Sequence, residues 1–179
     1  MTVGLLLLRI LLATLLFGHA LQKLRGWFGG AGPAGTGAVF ERWGFVPGAR
    51  MAVTAGLAEL VGAASIALGL LTPGGCAIVV GTMTVAAVAT SAQGFWAQRG
   101  GCELPFWYGA VAAVLGITGP GAYSVDDALG LPWASGNGWG AAGLALGLLA
   151  STVPLISRSR VLRTRQAGER GEPDPAVES

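Results

Sequence analysis

The chain has 179 residues, of which 53% are hydrophobic and only 11% are charged. Soluble domains carry about 25% charged residues on average, so this composition indicates a membrane protein. The formal net charge is only +2, and most of the basic residues lie beside apolar segments. That pattern does not favour nucleic-acid binding. We expect the lipid bilayer, and no nucleic acid, as a partner.

Five apolar segments approach the roughly 20 residues that a transmembrane helix needs. They are residues 3–24, 51–71, 76–92, 104–119 and 140–156. The fourth is the shortest. We therefore predict an all-α fold, a transmembrane helical bundle over residues 1–157 with a four-helix core and a fifth, C-terminal transmembrane helix.

Glycine and proline, which end helices, mark the connections between these segments. Residues 26–50 are rich in glycine and are predicted as a long loop. Residues 120–138 are predicted as an irregular or re-entrant surface segment, with Trp133 and Trp139 suited to the depth of the lipid headgroups. Residues 158–179 are basic and then acidic, and are predicted to form a disordered cytoplasmic tail.

The lysines and arginines predict the orientation. With five spans, all of them except Arg9 fall on one side of the membrane. The positive-inside rule then places the N-terminus outside and the C-terminus in the cytoplasm of a bacterial cell, in a multi-pass plasma-membrane protein. Asp126 and Asp127 fall outside, with no positive neighbour in their loop. Lys23 and Arg25 are expected to extend to the headgroups.

His19 and Glu59 are ionisable groups inside apolar segments. Such groups are expensive in a bilayer and indicate a functional site. At roughly 1.5 Å per residue, His19 lies about 7 Å and Glu59 about 12 Å from the inner face of the membrane. On the same estimate, Arg9 lies about 10 Å further from that face than Glu59 does. We predict that Glu59 faces the bundle interior and shares a hydrogen-bonded site with His19, with Arg9 as a second possible partner.

Two interpretations of this pair remain open. Histidine titrates near physiological pH, so the pair could pass protons to a bound quinone or ligate a metal. It could also be a polar clamp between two helices. Glu103, at the start of the fourth span, suits the helix dipole and completes the candidate polar intramembrane site of His19, Glu59, Arg9 and Glu103.

Signatures of soluble enzymes are missing from the sequence. It contains no phosphate-binding loop, zinc-protease motif, nucleophile elbow or haem-attachment motif. Cys76 and Cys102 form neither a redox motif nor a metal-ligand spacing, and the topology places them on opposite faces, too far apart for a disulfide. We assign no catalytic residue and no metal site, and whether the chain is an enzyme stays open.

Several separated motifs resemble the DoxX family of small bacterial membrane proteins. They are LRI at 8–10, GH at 18–19, QKL at 22–24, AELVG at 58–62, LGLLTP at 68–73, QGFW at 93–96, GGCEL at 100–104 and GPGAYSVD at 119–126. The resemblance implies a four-helix transmembrane bundle in a family associated with a membrane oxidoreductase that passes electrons from sulfur compounds to quinone. Thr90 stands where many relatives have a histidine, which weakens a metal or haem site that uses two histidines.

The resemblance implies an accessory subunit of a quinone-linked membrane redox system, with quinone as the candidate cofactor and soluble or membrane redox subunits as partners. Two alternatives remain. One is a non-catalytic scaffold that anchors soluble redox partners through the basic tail and the first loop. The other is a small-solute or proton pathway through His19, Glu59 and Glu103.

Overall fold

A computed structural model of the chain describes residues 2–135 and 137–171. All regular secondary structure in these residues is helical, so the predicted all-α bundle is confirmed. The helices are α1 (Thr2–Arg25), α2 (Gly32–Arg42), α3 (Gly48–Leu68), α4 (Thr72–Thr90), α5 (Glu103–Thr118), α6 (Val125–Ala128) and α7 (Gly138–Gly171). Short 3-10 helices occupy Ser91–Gln93, Ala97–Arg99 and Pro132–Ser135.

The five long helices alternate in direction. Four contain a segment long and apolar enough to cross a membrane: Val3–Arg25, Gly48–Leu68, Thr72–Gln93 and Gly138–Gly168. Helix α5 is shorter, but it runs the length of the bundle antiparallel to α4. Its first half brings Tyr108 to His19 near the end of α1, and its last turns place Gly116 against Cys76 near the start of α4.

The bundle therefore has two ends of different chemistry. We call the end where α1, α4 and the apolar part of α7 finish the basic end, because Lys23, Arg25, Arg99 and Arg158 lie there. The other end holds Asp126 and is called the Asp126 end. Cys76, in the first turns of α4, and Cys102, directly before α5, are both free and belong to opposite ends.

Small residues let α7 pack closely on α4 near the Asp126 end. A Cβ added at Gly143 would lie 2.6 Å from the carbonyl oxygen of Pro73, and one at Gly81 would lie 2.8 Å from the carbonyl oxygen of Gly147. A Cβ at Gly147 would in turn clash with the carbonyl of Ala77. Close backbone approach at small residues is typical of helix pairs in lipid.

Large apolar side chains cover the outside of the bundle. On α1, Leu7, Leu11 and Leu15 recur at four-residue spacing and are each more than half exposed. Leu146 and Leu149 are similarly exposed on α7. Apolar surfaces this extensive are rare on soluble monomers, and they suit contact with lipid tails.

The region predicted as a long loop is partly helical, so that prediction is corrected. Helix α2 forms within residues 26–50 and packs on α3. Pro33 lies in its first turn, where the missing N–H leaves no intrahelical hydrogen bond unmade and the fixed φ suits a helix. Sequence reasoning treated this proline as a helix end when it marks a beginning.

The predicted disorder of the C-terminal tail is wrong for residues 158–171, because α7 continues through them. Two arginines anchor this extension to the segment before α3. Arg158 Nε donates to the carbonyl oxygen of Trp43 at 2.8 Å, and Arg165 Nη1 donates to that of Glu41 at 2.9 Å. Residues 172–179 lie outside the described residues.

Candidate functional site

A cavity of about 590 Å³ lies inside the bundle near the basic end. Helices α1, α3, α4 and α5 form its walls, and α2 with the following segment covers it. Most of its lining is apolar, including Val39, Phe40, Trp43, Phe45, Met51, Met83, Val85 and Leu104. Its ionisable side chains are His19, Lys23, Glu59 and Tyr108, which we call the polar cluster. Predominantly apolar cavities of this size with a few convergent polar groups are typical of ligand sites.

Glu59 is only 3% exposed and forms a salt bridge with Lys23. Lys23 Nζ donates to both carboxylate oxygens, at 2.9 Å to Oε1 and 2.7 Å to Oε2. The prediction that Glu59 faces the interior is confirmed. The predicted partners, His19 and Arg9, are wrong, and so is the expectation that Lys23 extends to the headgroups.

The close approach of α1 and α3 explains this pairing. A Cβ at Gly56 would lie 2.7 Å from Leu24 Cγ and 3.4 Å from Lys23 Cβ. Only glycine lets the last turn of α1 lie this near α3. One turn further along α3, Glu59 then comes within reach of the long lysine side chain, which satisfies a carboxylate that would otherwise be buried alone.

His19 pairs with α5 rather than with α3. Its Nδ1 lies 3.0 Å from Gln22 Oε1, and its Nε2 lies 3.2 Å from the Tyr108 hydroxyl. An amide oxygen can only accept, so Nδ1 carries a hydrogen, and in the neutral imidazole Nε2 accepts from the Tyr108 O–H. His19 and Glu59 thus line one cavity through two separate hydrogen-bonded pairs.

Arg9 lies at the Asp126 end, away from the cavity. Its guanidinium is 1% exposed and donates to four backbone carbonyls. Nε bonds Ile66 at 2.8 Å, Nη2 bonds Ala67 at 2.7 Å, and Nη1 bonds Pro120 at 2.9 Å and Tyr123 at 2.8 Å. The carbonyls of Ile66 and Ala67 belong to the last turn of α3, where a cation is favoured by the helix dipole.

The turn after α3 leaves room for Arg9. Gly69 ends the helix in the left-handed region at φ 62°, a conformation that glycine adopts readily. A Cβ there would lie 2.7 Å from Arg9 Nη2 and 2.5 Å from Ser124 Cβ. Conformation and space therefore both require glycine at this position.

Asp126 is fully buried beside the start of α4. Its Oδ1 accepts from the Leu71 N–H at 2.8 Å and from Trp133 Nε1 at 2.9 Å. Its Oδ2 accepts from the Thr72 N–H at 2.9 Å and the Thr72 hydroxyl at 2.7 Å. A carboxylate at a helix N-terminus satisfies free N–H groups and complements the dipole. Asp126 binds the backbone at the start of α4, and Arg9 binds carbonyls at the end of α3, the segment just before it. Asp126 therefore has a positive neighbour in space that its own loop lacks.

The environment of Asp126 lowers its pKa. Burial alone would raise the pKa, but the hydrogen bonds from Thr72, Trp133 and Leu71 favour the ionised form and outweigh it. Because the folded pKa lies below the unfolded value, ionised Asp126 stabilises the fold above the unfolded pKa, and this stabilisation is lost as the pH falls through the folded pKa.

We predict that replacing Asp126 with asparagine lowers the unfolding temperature in mild detergent at neutral pH. The difference in unfolding temperature between wild type and Asp126→Asn should narrow as the pH falls below about 4, because the unfolded wild-type chain then takes up a proton at Asp126 before the folded protein does. Asp127→Asn, at the exposed neighbouring position, is the control and should change little at any pH. An equal gap at neutral and acid pH would contradict the charge-dependent role of Asp126.

Glu103 does not line the cavity. Its Oε2 accepts from the backbone N–H of Ala97 at 2.9 Å, which ties the start of α5 to the connection that precedes it. Of the four candidate residues, the structure places His19 and Glu59 at one cavity, Arg9 at the other end of the bundle, and Glu103 at the first position of α5, outside the cavity.

Sequence reasoning missed Lys23 and Tyr108 as members of the polar cluster. Lys23 lies four residues after His19, so the two share one face of α1, and this spacing was a usable signal. Tyr108 interrupts an apolar helix with a hydroxyl, which needs a hydrogen-bond partner when buried. Its pairing with His19 depends on how α5 packs, which no local pattern reveals.

The sequence model of one family, DoxX, matches residues 4–92. The matched range takes in α1 to α4, and with them three members of the polar cluster. No curated protein and no solved structure matches the chain.

Proposed function

We propose that the chain, a member of the DoxX family of membrane proteins, is an accessory subunit of a membrane redox system whose basic-end cavity binds a quinone. The observation that carries the proposal is the combination of a large apolar cavity with four ionisable side chains converging on it. A quinone ring is flat and apolar, with carbonyl oxygens that accept hydrogen bonds.

The residues present fit such a head group. Lys23 Nζ uses two contacts on Glu59, and an ammonium has three N–H donors, so one remains for a ligand oxygen. Tyr108, with its hydroxyl, also lines the cavity. Phe40, Trp43 and Phe45 supply aromatic surface on the covering side for contact with a ring.

A quinone held there would supply redox chemistry of two electrons and two protons, and we propose that a partner redox subunit provides the electrons. His19 and the Lys23–Glu59 pair would hold protons beside the bound ligand. A proton added to His19 Nε2 turns that atom from acceptor to donor, which frees the Tyr108 O–H to donate to a ligand. The Lys23–Glu59 pair can likewise hold a proton beside the same cavity.

The proposal is tested by titrating the purified protein in lipid nanodiscs with a short-tailed quinone and following tryptophan fluorescence. We expect saturable quenching. Tyr108→Phe should weaken binding about two- to tenfold, the effect of one hydrogen bond worth about 0.5–1.5 kcal/mol. Tyr123→Phe makes the same change at an exposed position of the Asp126 end and should bind as the wild type does.

If quenching of the wild-type tryptophan fluorescence does not saturate with quinone, the quinone site is rejected. The scaffold or the solute pathway is then left as the function. Equal affinities of Tyr108→Phe and Tyr123→Phe, with normal wild-type binding, would show that quinone binds elsewhere.

We also propose that the basic end faces the cytoplasm of a bacterial cell. The proposal is supported by the arginines that gather there. A reporter fused after Arg165 should then read cytoplasmic, and one inserted at Asp127 should read external. A cytoplasmic signal at Asp127 would reverse the orientation or remove one span.

A further inference from the structure

A second, smaller cavity of about 220 Å³ lies between α4 and α7. Three residues, Thr82, Val85 and Pro154, line both this cavity and the larger one. The two spaces therefore adjoin along one side of the bundle. We infer that the gap between α4 and α7 is a lateral opening from the bilayer, and that the ligand of the basic-end cavity carries a hydrocarbon tail that lies in it. This inference rests on the proposed function and specifies its ligand class.

The packing of α7 explains why the gap opens where it does. Toward the Asp126 end, Gly143 and Gly147 hold α7 against the backbone of α4. One turn beyond Gly147, the positions facing α4 are Ala150, Ser151 and Pro154, and these line the gap. The helices are thus in close contact at Gly147, and the cavity lies beside this contact and extends one to two turns beyond it along α7.

The wall of the gap suits hydrocarbon. Its two hydroxyls donate to their own helices, Thr82 Oγ1 to the Ile78 carbonyl at 2.8 Å and Ser151 Oγ to the Leu148 carbonyl at 2.7 Å. Because each hydroxyl already donates to a carbonyl of its own helix, it needs no water molecule as an acceptor. Ile78 is 37% exposed at the outer side, where lipid tails would reach it.

The two cavities together define an amphipathic space. The polar cluster comes from α1, α3 and α5, whereas the shared residues come from α4 and α7. A ligand with its head at the polar cluster would therefore extend its tail past Val85 and Pro154 into the gap. A water-soluble solute without a tail would use only the first half of this space.

The test compares a ten-carbon-tailed quinone with a tail-less analogue in nanodiscs, using Ala150→Trp to fill the gap. Ala150 lines the smaller cavity only. Ala145→Trp, at an exposed position of α7 that lines neither cavity, is the matched control. We expect Ala150→Trp to weaken binding of the tailed quinone at least tenfold, while both variants bind the tail-less analogue as the wild type does.

If Ala150→Trp binds both quinones like the wild type, the tail does not occupy the gap, and this inference is overturned while the proposed quinone site stands. If the wild type binds neither quinone, the proposed function fails and takes this inference with it.

A second measurement needs no variant. A quinone with a photoreactive diazirine at the end of its tail should label wild-type peptides containing Ile78 and Ala150. Labelling confined to other helices would also overturn the inference, even if Ala150→Trp did not fold.

Discussion

Replacement of Lys23 by methionine is expected to destabilise the protein more than any other single change at the cavity. Methionine keeps most of the length of the side chain but removes the ammonium, so Glu59 is left buried at 3% exposure without its counter-ion. Breaking one partner of a buried ion pair costs about 3–5 kcal/mol. The unfolding temperature in mild detergent, or the amount of protein in the membrane, measures the loss.

A double-mutant cycle isolates the pair from the other contacts of Lys23. Adding Glu59→Gln to Lys23→Met removes the uncompensated charge and should restore much of the lost stability. Arg25→Met, at an exposed position two residues further on, is the control and should have little effect. If the loss of stability in the double variant equals the sum of the losses in the two single variants, the salt bridge does not stabilise the fold.

Replacement of Arg9 by methionine should have a comparable effect at the other end of the bundle. It removes donors from four carbonyls at once, and hydrogen bonds from a charged group contribute about 1.5–3 kcal/mol each. These losses are not additive, but we expect several kcal/mol, seen as poor accumulation or a large fall in the unfolding temperature.

Arg9→Lys separates charge from geometry. Lysine keeps the positive charge but lacks the planar fork of five donors, so it cannot reach all four carbonyls. An intermediate stability is expected. Wild-type stability of Arg9→Lys would mean that the charge near Asp126 matters and the carbonyl contacts do not, whereas wild-type stability of Arg9→Met would reject the role of Arg9 in holding this end together.

Hydropathy predicted the bundle because its signal is long and local. Each apolar segment coincides with a helix to within a few residues at most ends, and the interior position of Glu59 followed from the cost of exposing a carboxylate to lipid. The predictions failed where a neighbouring helix decides the outcome. Depth alone placed His19 beside Glu59, but the glycine at position 56 brings Lys23 closer.

The other errors have the same origin. The basic end of α7 is polar, which predicts disorder, but Arg158 and Arg165 bind carbonyls of a distant segment and hold it helical. Depth alone also made Arg9 a second possible partner of Glu59. The backbone carbonyls that Arg9 binds carry no signature in the sequence, since every residue has one.

Identifying the small molecules that copurify with the protein decides whether its basic-end cavity holds a quinone. The protein should be extracted in mild detergent without added quinone, and its bound small molecules identified by mass spectrometry. We expect about one quinone per chain in the wild type and in Ala64→Trp, whose position is exposed on α3 and lines neither cavity. Ala86→Trp, which places an indole in the basic-end cavity, should lose it. Wild-type protein without quinone, or Ala86→Trp with the full amount, would contradict a quinone site in this cavity.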